Sequence, residues 1–203
     1  MSSSDRLTIG TIGTGNVAQA IVGHAVTAGY HVVLSNSRGP ESLTELVGQL
    51  GANASAGTVA EAAQADIVIL AVNWDKVPDA VKDVTDWNGR IVIDATNQWG
   101  GPGTDIVDLG DQTGSEHNAA LMPGARVVKA FNTILAGVTA QNPSRTNGRL
   151  VVFLAGDDPD AKTTVSAFVD SMGFSPVDLG GAREGRLMQV GGPLGGLHVV
   201  KLA

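Results

Sequence analysis

Cysteine is missing from this 203-residue chain. Its absence excludes disulfides, thiolate catalysis and thiolate metal sites together. Positive charge is scarce as well: 13 lysines and arginines stand against 20 aspartates and glutamates, for a formal net charge of -7. A nucleic-acid binder concentrates basic residues on one face to neutralise phosphates, so neither DNA nor RNA is an expected partner. No apolar run approaches the roughly 20 residues that span a bilayer. The opening stretch, MSSSDRLTIG, lacks the charged region, long apolar core and small-residue cleavage site of a secretory leader. The expectation is a cytoplasmic protein without a membrane partner. The triplet Asn53-Ala54-Ser55 fits a glycosylation acceptor and carries no weight in that setting.

Apolar, β-branched runs recur along the chain. Strands are predicted over Leu7 to Ile12, His31 to Ser35, Asp66 to Val72, Arg90 to Asp94, Val127 to Phe131, Arg149 to Ala155 and Ser175 to Leu179. Helical spacing lies between them, over Asn16 to Ala28, Pro40 to Leu50, Val59 to Ala65, Val77 to Val84 and Asp160 to Ser171. Near-continuous runs such as DIVILAV and RIVIDA suit strands covered on both faces, as in a parallel sheet flanked by helices. The fold class is therefore α/β, doubly wound, with a mostly parallel sheet. One domain, 1–203, is expected, with 180–203 as a short C-terminal extension. Gly29 is placed to cap the first helix, Asp158 to cap the helix after GDDP, and Pro159 to open it. Capping explains the acids of DDPD better than a metal site does. The stretch 100–114 reads as a turn-rich loop, either a functional one over a site or simply a mobile one, and the Gly-rich tail ends apolar, which suits pairing in a homodimer.

Gly13-Thr14-Gly15-Asn16-Val17-Ala18 has the form G-x-G-x-x-A, after the first strand and at the mouth of a helix. Glycine permits the sharp exit from the strand and the close approach of a pyrophosphate, and alanine lets the helix pack on the sheet. This is the dinucleotide-binding, Rossmann-type fingerprint in its proper context. A site selective for NAD carries an acid at the end of the second strand, where it binds the ribose hydroxyls. Here the strand ends in Asn36, Ser37 and Arg38 instead. A guanidinium and neutral donors suit a 2'-phosphate, so the cofactor expected is NADP(H). Val72, Asn73 and Trp74 after the fourth strand, and Asn97 after the fifth, are placed to meet the nicotinamide side.

An acid-base residue is harder to find. His24 and His31 are expected at packing or solvent positions, and His117 alone has a route to the crevice. Lys129 reads as a lysine at a strand edge or under a phosphate. No catalytic residue and no metal site is assigned. Hydride transfer needs little beyond two rings held face to face, which fits that poverty.

The stretches GTIGTGNVAQAIVGHAVTAGYHVVLSNSRGPESL, ILAVNWDKVPDAV, VVKAFNTILAG, LAGDDPDAK and VDLGGAREGRLMQ resemble the NADPH-dependent reductases of the deazaflavin coenzyme F420 and their short dinucleotide-binding relatives. The resemblance covers nearly the whole chain. It implies NADP(H) held by Thr14, Gly15, Asn16, Val17, Ser37, Arg38, Val72, Asn73 and Trp74, with Asn132, Thr133, Ile134 and Leu135 bordering the hydride acceptor. It further implies coenzyme F420 or a flavin as the second hydride carrier. The chain departs from that family in the acceptor region, reading Asn132-Thr133-Ile134-Leu135 where His-Thr-Ile-Pro is common. Two other readings stay open: an NADPH-dependent imine or carbonyl reductase of a small metabolite, and a redox sensor that binds NADP(H) without turnover.

Overall fold

The computed structural model describes residues 7–100 and 105–202. The opening stretch read as leaderless, the middle of the 100–114 loop and Ala203 therefore lie at least partly outside the described residues. Six parallel strands form the framework: β1 (Thr8–Ile12), β2 (His31–Ser35), β3 (Ala54–Ala56), β4 (Ile67–Leu70), β5 (Ile91–Asp94) and β6 (Arg126–Ala130). Their spatial order is β3-β2-β1-β4-β5-β6, so the chain leaves β1 in one direction and returns past it in the other. That reversal opens a crevice at the carboxyl ends of β1 and β4.

Beyond β6 the sheet continues with β8 (Gly148–Ala155), which runs antiparallel to β6 and is joined by the two-residue β7 (Ser144–Arg145). Parallel to β8 lies β9 (Ser175–Asp178), and antiparallel to it lies β10 (Val200–Leu202). The helices α1 (Asn16–Thr27), α2 (Thr44–Leu50), α3 (Val59–Ala62), α4 (Val77–Val81), α5 (Gly114–Ala120), α6 (Ala136–Thr139) and α7 (Pro159–Ser171) fall between strands. The expected class and the single doubly wound sheet are both present.

Strand β4 shows why the near-continuous apolar runs were required. Ile67 and Ile69 enter one buried cluster with Ile21 of α1 and Phe168 of α7. Val68 and Leu70 point the other way, into a second cluster with Val77 of α4, Trp87 and Met122. Alternate side chains leave opposite faces of a strand, so both faces must be apolar where helices cover both.

Three local details depart from the periodicity. The helix expected over 40–50 begins as a 3-10 turn, Pro40–Leu43, before α2. The helix expected from Val59 ends at Ala62, and the one expected from Val77 ends at Val81. Small β3, made of Ala54, Ser55 and Ala56, carries too little apolar signal to read as a strand, yet it pairs with Val32, Val33 and Leu34. Capping went as expected at α7, where the Asp158 side chain accepts from the Ala161 N–H at 2.8 Å and Pro159 opens the helix. Gly29 adopts φ +87° just after α1, a conformation that suits glycine.

Candidate functional site

The loop between β1 and α1 turns at Gly13, which has φ +100°. A β-carbon there would also lie 2.5 Å from the Ala71 carbonyl oxygen, so backbone geometry and packing both demand glycine. Gly15 is different. A β-carbon on it would meet no protein atom within 4 Å, and it lies exposed as the N-cap of α1 without a side-chain cap. The protein itself does not need Gly15 bare; a ligand lying against the backbone and the free amides of α1 would. Ala18 is fully buried, which lets α1 lie close on the sheet as expected. Thr14, Asn16 and Val17 surround this helix start, and the Gln19 side chain donates to the Thr14 carbonyl at 2.8 Å. Gly10, the remaining glycine of the opening motif, serves packing, because a β-carbon would collide with the Ala62 carbonyl of α3.

At the end of β2 the polar cluster is built around Asn36. Its Oδ1 accepts from the Arg38 backbone N–H at 2.8 Å, and its Nδ2 donates to Ser42 Oγ at 3.0 Å. Asn36 Nδ2 also reaches Thr14 Oγ1 at 3.5 Å, tying this turn to the glycine loop. Asn36 thus shapes the turn, while Ser37 and Arg38 stand exposed beside it. The Arg38 guanidinium has no hydrogen bond or ion pair with any described residue. An exposed guanidinium, on a turn that Asn36 ties to the glycine loop, is suited to a dianionic phosphate.

Across the crevice, Val72 and Asn73 follow β4, and Val72 closes on Gly13. Trp74 packs on His117 of α5, with ring centroids 5.1 Å apart. The lone histidine with a route to the crevice is therefore engaged with that tryptophan. His24 packs edge-on against Phe174 and bonds the Thr139 carbonyl, as a packing residue would.

Asn97 and Asn132 meet at the carboxyl ends of β5 and β6. Asn132 Nδ2 donates to Asn97 Oδ1 at 3.1 Å and to the Met188 carbonyl at 2.8 Å, while Asn97 Nδ2 donates to the Asn132 carbonyl at 2.9 Å. Two acceptors around Nδ2 decide the orientation of the amide, since a flipped group would set oxygen against oxygen. Asn132 Oδ1 is consequently left buried without a hydrogen-bond partner. Phe131, just before it, sits at φ +63°, a strained conformation for a bulky residue and one found disproportionately at functional sites. A cavity of about 390 Å³ opens here, lined by Val17, Asn97, Trp99, Asn132, Leu135 and Gly191 among others. Its volume lies in the range of small-molecule sites.

Beneath this floor lies a group whose role the sequence did not disclose. Lys129 is neither at a strand edge nor under a phosphate: it is 1% exposed, with its Nζ 3.6 Å from Oδ2 of fully buried Asp94. The correction has a plain physical reason. Strand β6 is interior to the sheet, so a side chain near its end needs a buried counter-charge, which β5 supplies. Asp94 also accepts from Ser115 Oγ at 2.5 Å and from the Thr96 N–H and hydroxyl at 2.9 and 2.7 Å. Burial by itself pushes this carboxyl up, but the Lys129 ammonium and those hydrogen bonds together hold it below the ordinary range. Lys129 completes its shell with the Thr96 carbonyl at 3.0 Å.

Residues 8–98 match the family model described as NADP oxidoreductase, coenzyme F420-dependent. The hypothetical protein SMa0349 from Sinorhizobium meliloti, a crystal structure, is 40% identical with a TM-score of 0.92, covering 98% of this chain and 97% of that one. Over residues 8–98 the chain is thus similar to the F420-dependent NADP oxidoreductases. A protein of Arthrobacter sp. FB24 described as an F420-dependent NADP reductase shares the fold, at TM-score 0.76 and 22% identity over 87% of this chain and 86% of that one. Metalloreductase STEAP3 of Rattus norvegicus is 30% identical over 180 residues, which cover 88% of this chain and 35% of that protein. The chain spans about a third of the length of the curated relatives it matches.

The match to the F420-dependent NADP oxidoreductase model runs from the glycine loop through Asn97 and stops at Gln98. It therefore includes the Arg38 turn and excludes Asn132, Leu135 and the glycine tail, which form the far wall of the cavity. Sequence reading missed two residues. Asp94 ends a strand in the run RIVIDA, where a lone acid among apolar residues was the available signal. Trp99 followed Asn97 by two positions and was legible only as part of a loop. Among the described residues no group of acids and histidines could hold a metal ion, and no helix is long and apolar enough to cross a membrane.

Proposed function

We propose that this protein binds NADP(H) along the crevice and transfers a hydride between its nicotinamide and a deazaflavin (coenzyme F420) or flavin acceptor. The observation that carries the reading is the pairing of a glycine loop bare on its outer face with an Arg38 guanidinium that has no partner among the described residues. In this reading Gly15, Asn16 and the first amides of α1 hold the pyrophosphate, while Ser37 and Arg38 hold the 2'-phosphate. Val72, Asn73 and Trp74 form the wall along the cofactor. Asn132 Oδ1, buried without a hydrogen-bond partner, would be the acceptor for an N–H of the nicotinamide carboxamide.

Bound nicotinamide supplies the hydride, and the protein's part is alignment. The Asn97–Asn132 pair is locked by three hydrogen bonds, so the floor of the cavity is set before any ligand arrives. Reduction of a carbonyl or imine also needs a proton delivered at the heteroatom. No carboxylate, lysine or histidine lines the cavity among the described residues. That favours an acceptor ring that takes its proton from solvent over the imine or carbonyl alternative.

The phosphate assignment is tested by Arg38→Ala. The preference for NADPH over NADH in binding should fall by about 10- to 100-fold, because the lost contact is a charge-assisted one made to the 2'-phosphate alone. Calorimetric titration with both cofactors measures it, and an unchanged ratio removes the assignment.

A further inference from the structure

Trp99 sits at the mouth of the cavity and is 45% exposed. Of the two other tryptophans, Trp87 is fully buried and Trp74 packs on His117. The exposure of Trp99 is not looseness of the loop. Its backbone N–H bonds the Asn97 carbonyl at 2.7 Å, and it bridges antiparallel to Ile106. The Val107 N–H bonds the Gln98 carbonyl at 2.8 Å and the Gly100 N–H bonds the Asp105 carbonyl at 3.2 Å, which pins the residues on either side. The backbone that carries the indole is thus held in place, and much of the residue's surface is open. Leu135, also lining the cavity, is 64% exposed, and Ile106 is exposed beside Gly191 of the tail.

The charge pattern narrows what can lie there. Among the described residues that line the cavity none is charged. His198, near its rim, already has Nε2 engaged by the Leu135 N–H at 3.4 Å. A small substrate bearing a carboxylate would enter an apolar, amide-floored space with no cation to meet it. A planar, uncharged fused ring would cover the indole and Leu135 and bring its own polar edge to solvent.

We propose that Trp99 is the specificity-determining platform for the hydride acceptor, and that the acceptor presents an uncharged, planar fused-ring face to it. This rests on the reading that the crevice holds NADP(H). No covalent bond to the protein forms: a hydride passes from the reduced nicotinamide to a carbon or nitrogen of the ring, the nicotinamide is oxidised, the ring is reduced, and solvent supplies the accompanying proton.

The test uses the 203-residue chain and its Trp99→Ala and Trp99→Phe variants. Each is titrated with NADPH and then assayed for NADPH oxidation with 5-deazariboflavin and with riboflavin. The alanine variant should keep its NADPH affinity within about threefold while KM for both ring probes rises about tenfold, the order expected for one lost stacking contact. The phenylalanine variant should recover most of that loss. Riboflavin should quench the indole emission of the parent, and the phenylalanine variant should lose the Trp99 share of the quench. Equal KM values in all three proteins overturn the platform and leave the nucleotide reading standing, as does NADPH binding with no turnover of either ring probe. Failure of the parent to bind NADPH overturns the nucleotide reading and the platform with it. Oxidation of NADPH by a small keto acid, pyruvate, more efficient than with the ring probes overturns the uncharged-acceptor class.

Discussion

Lys129 and Asp94 form an ion pair that water scarcely reaches, joining the ends of β5 and β6 under the cavity floor. Such a pair gains little over an apolar replacement of the same shape, but removing one partner strands a charge in a dry site. Asp94→Asn should therefore destabilise the protein by about 3–5 kcal/mol in urea unfolding, while the double variant Asp94→Leu with Lys129→Met recovers most of the loss. The pH dependence has a definite sign. Asp94 is held below its ordinary range when folded, so its contribution is fully present above about pH 4 and is lost as the pH falls through the lowered value. Urea midpoints measured at neutral pH and below pH 4 should diverge more for the parent than for Asp94→Asn. Residue types alone placed Arg38, Gly13 and Gly15 correctly on the loop and turn, because their chemistry is local. Lys129 was misplaced, because whether a strand is interior or at an edge is not a property of its own residues.

Elements of this fold begin where side chains can satisfy their first amides. Thr58 caps α3 by accepting from the Glu61 N–H at 3.2 Å, and the Glu61 carboxylate returns to the Thr58 N–H at 2.7 Å. That carboxylate is held below its ordinary range, first by the Thr58 backbone N–H and then by the Thr58 hydroxyl. Thr113 and Glu116 repeat the arrangement at α5. Thr58→Ala should destabilise the protein by about 1 kcal/mol, a typical value for a lost cap, read as a shift in thermal midpoint. The start of α7 was legible for the same reason: Asp158 caps an amide three residues away, and Pro159 opens the helix where a missing N–H costs nothing. The ends were not. Helices α3 and α4 stop short of their periodic patterns because the chain must turn to meet the next strand, and β3 exists only because β2 offers it an edge.

Across the whole molecule, stability should be greatest at the sheet centre and least at its margins. Amides of β4 and β5 are covered by strands on both sides and helices on both faces, so they should exchange hydrogen only through global unfolding. Those of β10, where Val200 and Leu202 lie exposed, should exchange orders of magnitude faster, as hydrogen-deuterium exchange can measure. The candidate site sits between these regimes, with a rigid floor from β5 and β6 and one wall from the glycine-rich tail.

The α/β class, the glycine loop, the missing acid after β2 and the Arg38 turn were all determined by residues within a few positions of one another. Strand periodicity, helix caps and phosphate recognition act over such distances, so the chain displays them before it folds. Only the tertiary structure decided that Asp94 faces Lys129, that Asn132 binds Asn97 and the Met188 carbonyl with Oδ1 left free, and that Trp99 overhangs the cavity. Those contacts join strands and tail segments far apart in sequence, and their partners are chosen by strand order and register.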